Sequence, residues 1–434
     1  MLAVFVTPWL SDSTEKLASL ATELPSAKLA LIYPKNAGSL PASLRKNLVA
    51  WSSVGKIHDP EHLLTALQRI ERSVGKVDRI FAETEQLQLP LADLRERANL
   101  PGLGSDVAMR FRDKAIMKQH WSAAGLAVAR HALVTTLSAA LSFVEVVGFP
   151  VVAKPRFGAR AKNTFLVKSP SDMVRALNRI KPRNGAEALV EEFIDGEEFS
   201  CDCVTVRGQP LWQSFVKYSP TPLQANLNPS VQWSALLPRE LDDPQYCDVR
   251  EAAEKAISSL GMQTGYTHME WFRMPNGGCV MSEIAARPPG AEIDTLLSYA
   301  HDFSFTKEWL RLSILGDSRR LPPRKYSTGV IFLRAPHAGK VASIRGLRKL
   351  TNKYRSLIVE KEIPERGEIV SRDYEGNGHI IIRHPRTSVV TEVLHEIATT
   401  IEIQSVSREV TKRRKLVGRY GLPGDATIQR VGAR

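Results

Sequence analysis

Residues 268–284 read HMEWFRMPNGGCVMSEI, a stretch in which apolar and aromatic residues flank an Asn-Gly pair. Asn-Gly in this setting is a strong β-hairpin signal, and a tip at this pair places Glu270 directly opposite Glu283. Because directly opposed like charges destabilise a hairpin, the pair indicates a bound cation. Mg²⁺ is typically held by one or two carboxylates together with substrate phosphates. The alternative is a solvated face on which Glu270 pairs with Arg273 or Arg287.

The 434 residues are too many for one ordinary core and predict roughly two to four folded units. Apolar residues make up 43% and charged residues 24%, as in an ordinary globular protein. The opening residues, MLAVFV, lead straight into polar ones and predict a buried strand, not a signal peptide. The most apolar stretch, 132–153, is interrupted by Glu145, Gly148 and Pro150, which excludes a membrane span. Four scattered cysteines favour a reduced compartment, so we expect a cytoplasmic protein without a membrane partner.

The formal net charge of +13 calls for an anionic partner. Residues 407–434 hold eight Lys and Arg residues against Glu409 and Asp425, a net charge of +6 with little apolar content. We interpret residues 406–434 as a basic tail on a less charged body. No helix-turn-helix, zinc-finger or RNA-binding signature accompanies the tail, so nucleic-acid binding is the less favoured hypothesis.

The order of apolar strands and amphipathic helices predicts an α/β protein with several domains. Strands alternate with helices over residues 1–105, which is typical of a small doubly wound parallel-sheet domain. Residues 106–325 predict a central α+β domain with two subdomains, 106–187 and 188–325. Residues 326–405 predict a small β-rich C-terminal domain.

The sequence of the central domain also predicts one long helix and one long loop. One continuous helix is predicted from Asp106 to about Ala124, and it carries Asp113-Lys114. Residues 218–230 predict a long loop, and such loops in compact domains often serve as lids over a site.

Lys154 lies in the apolar strand FPVVAKP, residues 149–155, where burying a lone ammonium group is expensive. The strand leads into a turn that contains Gly158 and three further cations between residues 156 and 162. A compact point charge beside a glycine that allows close backbone approach suits a polyphosphate. The alternative is a lysine whose tip reaches solvent along the surface.

Five segments in this order together resemble the ATP-grasp superfamily. They are Asp113-Lys114, GFPVVAKP at 148–155, LVEEFIDGEEF at 189–199, HME at 268–270 and SEIAAR at 282–287. The resemblance covers most of the chain up to about residue 400 and is closest to the carboxylate–amine ligase branch that includes L-amino-acid ligases. It implies that residues 106–325 form the ATP-grasp domain, and residues 326–405 resemble the small C-terminal domain of those enzymes.

The resemblance also implies an ATP site. Lys114 and Lys154 would contact the ATP phosphates, with Gly158 in the turn that covers them, and Glu198 would bind the ribose hydroxyls. The hinge between the subdomains would consist of Glu191, Glu192, Phe193 and Ile194. Backbone groups of Glu192 and Ile194 would reach the adenine.

The same resemblance implies the reacting end of the site. Glu270 and Glu283 would hold Mg²⁺, with Mn²⁺ as the alternative ion. Arg287, together with Lys154, would stabilise the transferred phosphoryl group, and His268 would contact the carboxylate substrate or its phosphate. The implied activity is ATP-dependent ligation of a small-molecule carboxylate to an amine through an acyl-phosphate, with release of ADP and phosphate.

Two departures from the family pattern narrow these implications. The phosphate-covering turn is usually rich in Gly and Ser, whereas this chain has Arg160 and Lys162 there. Ala285 stands where many members have an Asn ligand, which leaves Glu270 and Glu283 as the protein ligands. The alternatives are a ligase or carboxylase of a non-amino-acid substrate and a regulatory protein that binds ATP without using it. A homodimer is an open alternative to a monomer.

Overall fold

A computed structural model describes residues 1–158, 161–182, 186–371 and 373–406. Residues 407–434 of the basic tail predicted at 406–434, and Arg160 of the predicted basic turn, lie outside these residues. The described residues form three β-sheets and a two-stranded ribbon, interleaved with helices. The predicted α/β fold class, with an α+β core, is confirmed.

The N-terminal sheet is parallel, with the strand order β3-β2-β1-β4. Its strands are β1 (Leu2–Val6), β2 (Lys28–Pro34), β3 (Ala50–Val54) and β4 (Arg79–Phe81), and its helices are α1 (Asp12–Thr22), α2 (Ala42–Arg45), α3 (Pro60–Val74) and α4 (Gln88–Arg97). The predicted parallel sheet is confirmed, but β3 was not predicted. This edge strand contains two serines and an exposed Trp51, so it lacks the apolar run that marks a buried strand.

The prediction of one continuous helix from Asp106 to Ala124 is wrong, because this segment forms two helices. They are α5 (Ser105–Arg110) and α6 (Lys114–Ala123). Asp113 separates them, since its side chain accepts hydrogen bonds from the N–H groups of Ala115 and Ile116 at 3.0 and 3.3 Å. Such a cap requires extended backbone before the first helical turn. Lys114 therefore starts a helix.

A four-stranded antiparallel sheet follows, with the order β5-β8-β6-β7. Its strands are β5 (His131–Val134), β6 (Val151–Pro155), β7 (Phe165–Val167) and β8 (Ala188–Glu192), and α7 (Leu137–Val147) and α8 (Pro170–Ile180) share its core. Strand β8 lies beyond the predicted subdomain limit at 187/188, so this sheet extends to residue 192.

The largest sheet is antiparallel and has the order β13-β12-β9-β10-β11-β14-β17-β16. Its strands and those of the ribbon are β9 (Glu197–Val206), β10 (Gln209–Ser219), β11 (Trp233–Leu237), β12 (Gly265–Arg273), β13 (Cys279–Ala285), β14 (Ser327–Phe332), β15 (Lys340–Arg345), β16 (Ile358–Glu362), β17 (His379–His384) and β18 (Glu402–Val406). The helices are α9 (Pro222–Leu227), α10 (Cys247–Ser259), α11 (Ile293–His301), α12 (Phe305–Leu315), α13 (Leu347–Lys353) and α14 (Thr387–Thr400). Helix α9 occupies half of the loop predicted at 218–230.

The sheets do not divide where the sequence placed the domain limits. Strand β11 pairs with β14, so the large sheet runs across the predicted limit at 325/326. The two antiparallel sheets are joined instead by residues 193–196, between β8 and β9. The limits of the domains themselves stay predictions. Among the described helices, none is both long and apolar enough to cross a membrane.

Candidate active site

Strands β12 and β13 form the predicted hairpin, with Glu270 directly opposite Glu283. The tip differs from the prediction, because residues 275–277 form a three-residue loop instead of a two-residue one. Gly277 has φ +91°, the left-handed conformation that such a loop requires. The odd loop length shifts the register by one residue, and a bulge at Ser282 shifts it back. The two carboxylates therefore remain directly opposite each other, because the bulge offsets the register shift that the loop introduces.

Two lysines from outside the hairpin reach the same carboxylate. Lys114 Nζ lies 3.4 Å and Lys154 Nζ lies 3.7 Å from Glu283 Oε2. Lys114 also donates to the carbonyl oxygen of Gly158 at 2.7 Å, which ties the start of α6 to the turn after β6. The Lys154 side chain is only 8% exposed, so the alternative in which its tip reaches solvent is wrong.

Glu191 lies between two ammonium groups. Its Oε1 is 2.6 Å from Lys154 Nζ, and its Oε2 is 3.2 Å from Lys118 Nζ. Burial alone raises the pKa of a carboxyl, but the two lysines hold the pKa of Glu191 at about 2. Burial lowers the pKa of Lys118, whereas the carboxylates around Lys154 outweigh burial and raise its pKa. The side chain of this predicted hinge residue is therefore the counter-ion of two buried cations.

The two opposed glutamates differ in how well their charge is compensated. Burial, and then the charge of Glu283, raises the pKa of Glu270. Burial also acts on Glu283, but Lys114 and Lys154 outweigh it and lower its pKa. Burial and these two carboxylates raise the pKa of Glu198 well above its usual value.

The donor set of this acidic pair fits a divalent ion. Two carboxylates on adjacent strands repel each other, and the repulsion shows in the raised pKa of Glu270. Mg²⁺ accepts one or two protein carboxylates and completes its shell with water and phosphate oxygens. Ala285, opposite His268, offers no ligand atom, so Glu270 and Glu283 would be the carboxylates that hold the ion.

His268 is held by a residue that the sequence did not reveal. Its Nδ1 lies 2.9 Å from Oδ1 of Asp202, which is completely buried on the neighbouring strand β9. A carboxylate accepts at this distance, so Nδ1 donates and Nε2 is left for other partners. The bond fixes the ring orientation of a side chain that lines the central cavity.

Arg287 is positioned by the N-terminal part of the chain. Its Nε lies 3.5 Å from Oε2 of Glu85, and its Nη1 donates to the carbonyl oxygen of Pro288 at 2.7 Å. Glu85 follows β4 and also pairs with Arg112. One carboxylate from the first domain therefore neutralises part of the charge of two arginines.

The connection between the sheets offers backbone groups more than side chains. The carboxylate of Glu192 accepts from the backbone N–H of Arg130 at 3.0 Å and from its Nε at 2.6 Å. The N–H of Glu192 in turn donates to the carbonyl oxygen of Arg130 at 2.9 Å. A nucleotide base at this connection would therefore meet the carbonyl group of Glu192, not its N–H.

One cavity of about 620 Å³ unites these groups, within the size range of small-molecule sites. Every predicted site residue lines it: Lys114, Lys154, Gly158, Glu191, Glu192, Phe193, Ile194, Glu198, His268, Glu270, Glu283 and Arg287. The structure thus brings the predicted residues together, while their individual roles stay predictions.

Three contributors escaped the sequence reasoning, and one prediction needs correction. Lys118 could have been found, since it lies four residues after Lys114 on the same helix face. Glu85 and Asp202 had no local signal. Arg156, predicted among the cations of a phosphate-binding turn, is already paired with two carboxylates, Asp113 and Glu187, so its charge is compensated within the protein.

Comparison with known proteins finds an ATP-grasp domain in the chain and relatives among the amino acid ligases. Residues 119–298 match the family model of the ATP-grasp domain. The chain is 28% identical over 250 residues to an L-arginine-specific L-amino acid ligase of Bacillus subtilis, a match that covers 56% of this chain. The chain spans only 59% of the length of that relative.

Solved structures share the fold over nearly the whole chain. The L-amino acid ligase from Bacillus licheniformis has a TM-score of 0.73 at 18% identity, covering 94% of this chain and 99% of the other. The biotin carboxylase domain dimer of the Hydrogenobacter thermophilus 2-oxoglutarate carboxylase, solved with MgADP, has a TM-score of 0.64 at 16% identity and covers 93% and 91%. Residues 119–298 therefore match an ATP-grasp domain, and the chain is similar to L-amino acid ligases in sequence over 56% of its length and in fold over 94%.

Proposed function

We propose that the protein is an ATP-dependent carboxylate–amine ligase that forms an amide or peptide bond and releases ADP and phosphate. The observation that carries the proposal is the pair of buried lysines, Lys114 and Lys154, beside the opposed carboxylates Glu270 and Glu283 in one cavity. Phosphoryl transfer from ATP requires cationic groups that bind the phosphates and carboxylates that bind a divalent ion. The sequence similarity to an amino-acid ligase gives further support.

The reaction would proceed in two transfers. A substrate carboxylate oxygen attacks the γ-phosphorus of ATP, the bond to the ADP oxygen breaks, and an acyl-phosphate forms. The amine nitrogen then attacks the acyl carbon, loses a proton, and displaces phosphate. Phosphoryl transfer of this kind needs positioning and charge stabilisation more than covalent help from the protein.

The chain offers a group for each requirement. Lys114, Lys118 and Lys154 place three ammonium groups where the phosphates would lie, and Arg287 would offset charge on the transferred phosphoryl group. His268, oriented by Asp202, would place its Nε2 against the substrate carboxylate or its phosphate. Glu270 and Glu283 would hold Mg²⁺ or Mn²⁺, which supplies charge neutralisation at phosphate oxygens.

The remaining groups would bind the nucleoside. The carbonyl of Glu192 and the N–H of Ile194, on the segment that joins the two sheets, are the backbone groups proposed to meet adenine. Phe193 lies between them and lines the same cavity. Glu198, which has a raised pKa and is buried at the start of β9, would exchange hydrogen bonds with the ribose hydroxyls.

The test is phosphate release from ATP and Mg²⁺ by the purified full-length chain, with pairs drawn from a panel of carboxylates and amines. We expect release that requires both an acid and an amine, and an amide product by mass spectrometry. Glu283→Gln should lower turnover by about a hundredfold or more with an unchanged circular dichroism spectrum. The matched control is Glu197→Gln, an exposed carboxylate on β9, which should keep wild-type turnover.

Other outcomes would redirect the proposal. Release that needs an acid but proceeds with bicarbonate or a nucleotide precursor would favour a ligase or carboxylase of a non-amino-acid substrate. ATP binding without release across the panel would favour a regulatory ATP-binding protein. Wild-type turnover by Glu283→Gln would contradict the metal assignment. A homodimer and a cytoplasmic location stay predictions, which sedimentation and cell fractionation would test.

A further inference from the structure

Another part of the same cavity has the opposite charge from the part that the lysines line. Glu83, Glu292, Asp294 and Glu360 all line it, and Lys16 is the cation that lines the cavity beside them. The phosphates of ATP would be repelled from this end. We call these four carboxylates the acidic end of the cavity.

Two members of the acidic end are oriented by hydroxyl groups. Thr295 Oγ1 donates to Oε2 of Glu292 at 2.8 Å, and Tyr299 Oη donates to Oε2 of Glu360 at 2.9 Å. The other oxygen of each carboxylate, Oε1, accepts no hydrogen bond from the residues that the structure describes. Glu292 holds this position with φ +58°, a left-handed conformation that is unfavourable for a non-glycine residue.

Two buried polar atoms near these carboxylates form no hydrogen bond within the described part of the chain. His379 is 8% exposed, and its Nε2 forms no hydrogen bond within the described part of the chain, although Glu360 Oε1 lies 3.5 Å away. Ligand atoms of His379, Glu292 and Glu360 all lie within 4.8 Å of one another. Thr84, also 8% exposed, lines the cavity next to Glu83, and its buried Oγ1 likewise has no hydrogen bond among the described residues. A buried polar atom without a hydrogen bond costs about 1–3 kcal/mol, so the Thr84 hydroxyl is unused polar capacity beside Glu83.

Burial and mutual repulsion outweigh the charge of Lys16 at this end. Burial and the charge of Asp294 raise the pKa of Glu83 to about 7. Burial and Glu292 raise the pKa of Asp294 to about 6, although Asp294 lies in the first turn of α11, where a helix normally favours negative charge. Ordinary helix-capping acids would show the reverse shift.

Aromatic side chains also line this cavity. Trp9, Trp233, Trp309 and Tyr374 line the cavity, and the rings of Trp233 and Tyr374 meet edge to face at 4.8 Å. Aromatic faces attract organic cations and pack against aliphatic stems. A small hydrated metal ion would gain little from such walls, which favours an organic cation as the occupant.

We propose that the acidic end binds the cationic side chain of one of the two substrates, a guanidinium or ammonium group on an aliphatic stem. One substrate would then be a basic amino acid, whose reacting carboxylate or amine lies toward Arg287 and His268 while its side chain lies among Glu83, Glu292 and Glu360. This inference rests on the proposed ligase function and names the substrate class of the same site.

The first experiment compares charged and neutral isosteres. Phosphate release is measured with ATP, Mg²⁺ and pairs that contain arginine or lysine, and with the same pairs after replacement by citrulline or norleucine. We expect kcat/KM at least about a hundredfold higher for the cationic member, because the neutral one leaves buried carboxylates unpaired. Equal values for arginine and citrulline would overturn the inference while leaving the ligase function intact.

Calorimetry separates the two proposals if no pair releases phosphate. Arginine and citrulline are titrated into the full-length chain without ATP. Arginine binding at least tenfold tighter than citrulline binding would support the acidic end as a cation site on its own. Equal or undetectable binding of both would overturn it.

Variants then assign the effect to the carboxylates. Glu292→Gln and Glu360→Gln should each raise the KM for arginine at least tenfold and leave citrulline turnover within about twofold. Glu145→Gln, on the exposed face of α7, is the matched control and should change neither value. If the cluster binds a metal instead, Zn²⁺ or Mn²⁺ alone will bind by calorimetry, the binding will disappear in His379→Gln, and arginine will not bind. That pattern would overturn the organic-cation assignment.

Discussion

Replacing Glu191 with Gln should destabilise the protein by about 3 kcal/mol at pH 7.5. The pKa of this carboxyl is about 2 in the folded chain against an ordinary value of 4.5. Each pKa unit corresponds to about 1.4 kcal/mol of preferential stabilisation of the charged form. Because the folded-state pKa is lowered, this stability is fully present above pH 4.5 and is lost as the pH falls toward 2. Gln keeps the shape of the side chain but removes the charge between Lys118 and Lys154.

Urea unfolding followed by tryptophan fluorescence measures the loss. The midpoint of Glu191→Gln should fall clearly at pH 7.5, and the difference from wild type should shrink as the pH is lowered below 4.5. Glu197→Gln, which breaks an exposed pair with Lys217, is the control and should cost less than about 1 kcal/mol. ATP should raise the melting temperature of Glu191→Gln more than that of wild type, because phosphates supply the missing negative charge. A Glu191→Gln midpoint equal to that of the control at pH 7.5 would refute the reasoning.

Three further predictions follow from the same geometry. Asp202→Asn should lower kcat roughly tenfold or more, with little change in the KM for ATP, because it removes the charge of the carboxylate that orients the His268 ring; steady-state phosphate release checks this, and an altered KM for ATP alone would contradict it. Lys118→Met should weaken ATP binding by about tenfold or more, since a charge-assisted hydrogen bond is worth about 1.5–3 kcal/mol; calorimetry with wild-type affinity as the result would place this lysine outside the phosphate site. Burial raises the pKa of Glu83 from 4.5 to about 7, so the protonated form is favoured in the fold and stability should fall by up to about 3 kcal/mol as the pH rises from 5 to 8. Glu83→Gln should abolish that part of the pH dependence in urea unfolding, and an unchanged slope would count against it.

The sequence predicted local features of the fold well and distant pairings poorly. The hairpin around the Asn-Gly turn and the apolar strand that carries Lys154 are each encoded within a few residues. The pairing of β11 with β14 joins residues almost a hundred positions apart, and no local pattern marks it. The limit predicted at 325/326 therefore falls within the large sheet.

The residues of the candidate site likewise differ in whether a local sequence pattern predicted them. Residues in family-like segments, such as Glu270 and Glu283, could be named because their spacing within one hairpin fixes their relation. Asp202 and Glu85 act on His268 and Arg287 across 66 and 202 positions, where only the folded sheet order brings them together. Lys118 is the instructive exception, since its helical spacing from Lys114 was readable but its burial was not.

The charges around the lysines explain how so basic a site is compatible with a stable fold. Lys118 and Lys154 lie within 3.2 Å of a carboxylate oxygen, and Lys114 lies within 3.4 Å of one, so each ammonium group has a counter-ion from the protein. Burying unpaired ammonium groups would cost several kcal/mol each, and Glu191 and Glu283 remove that cost. Glu270 has no such cation at contact distance among the described residues, and its raised pKa reflects this. A bound divalent ion would therefore stabilise the ionised form of Glu270 more than that of any other carboxylate in this site.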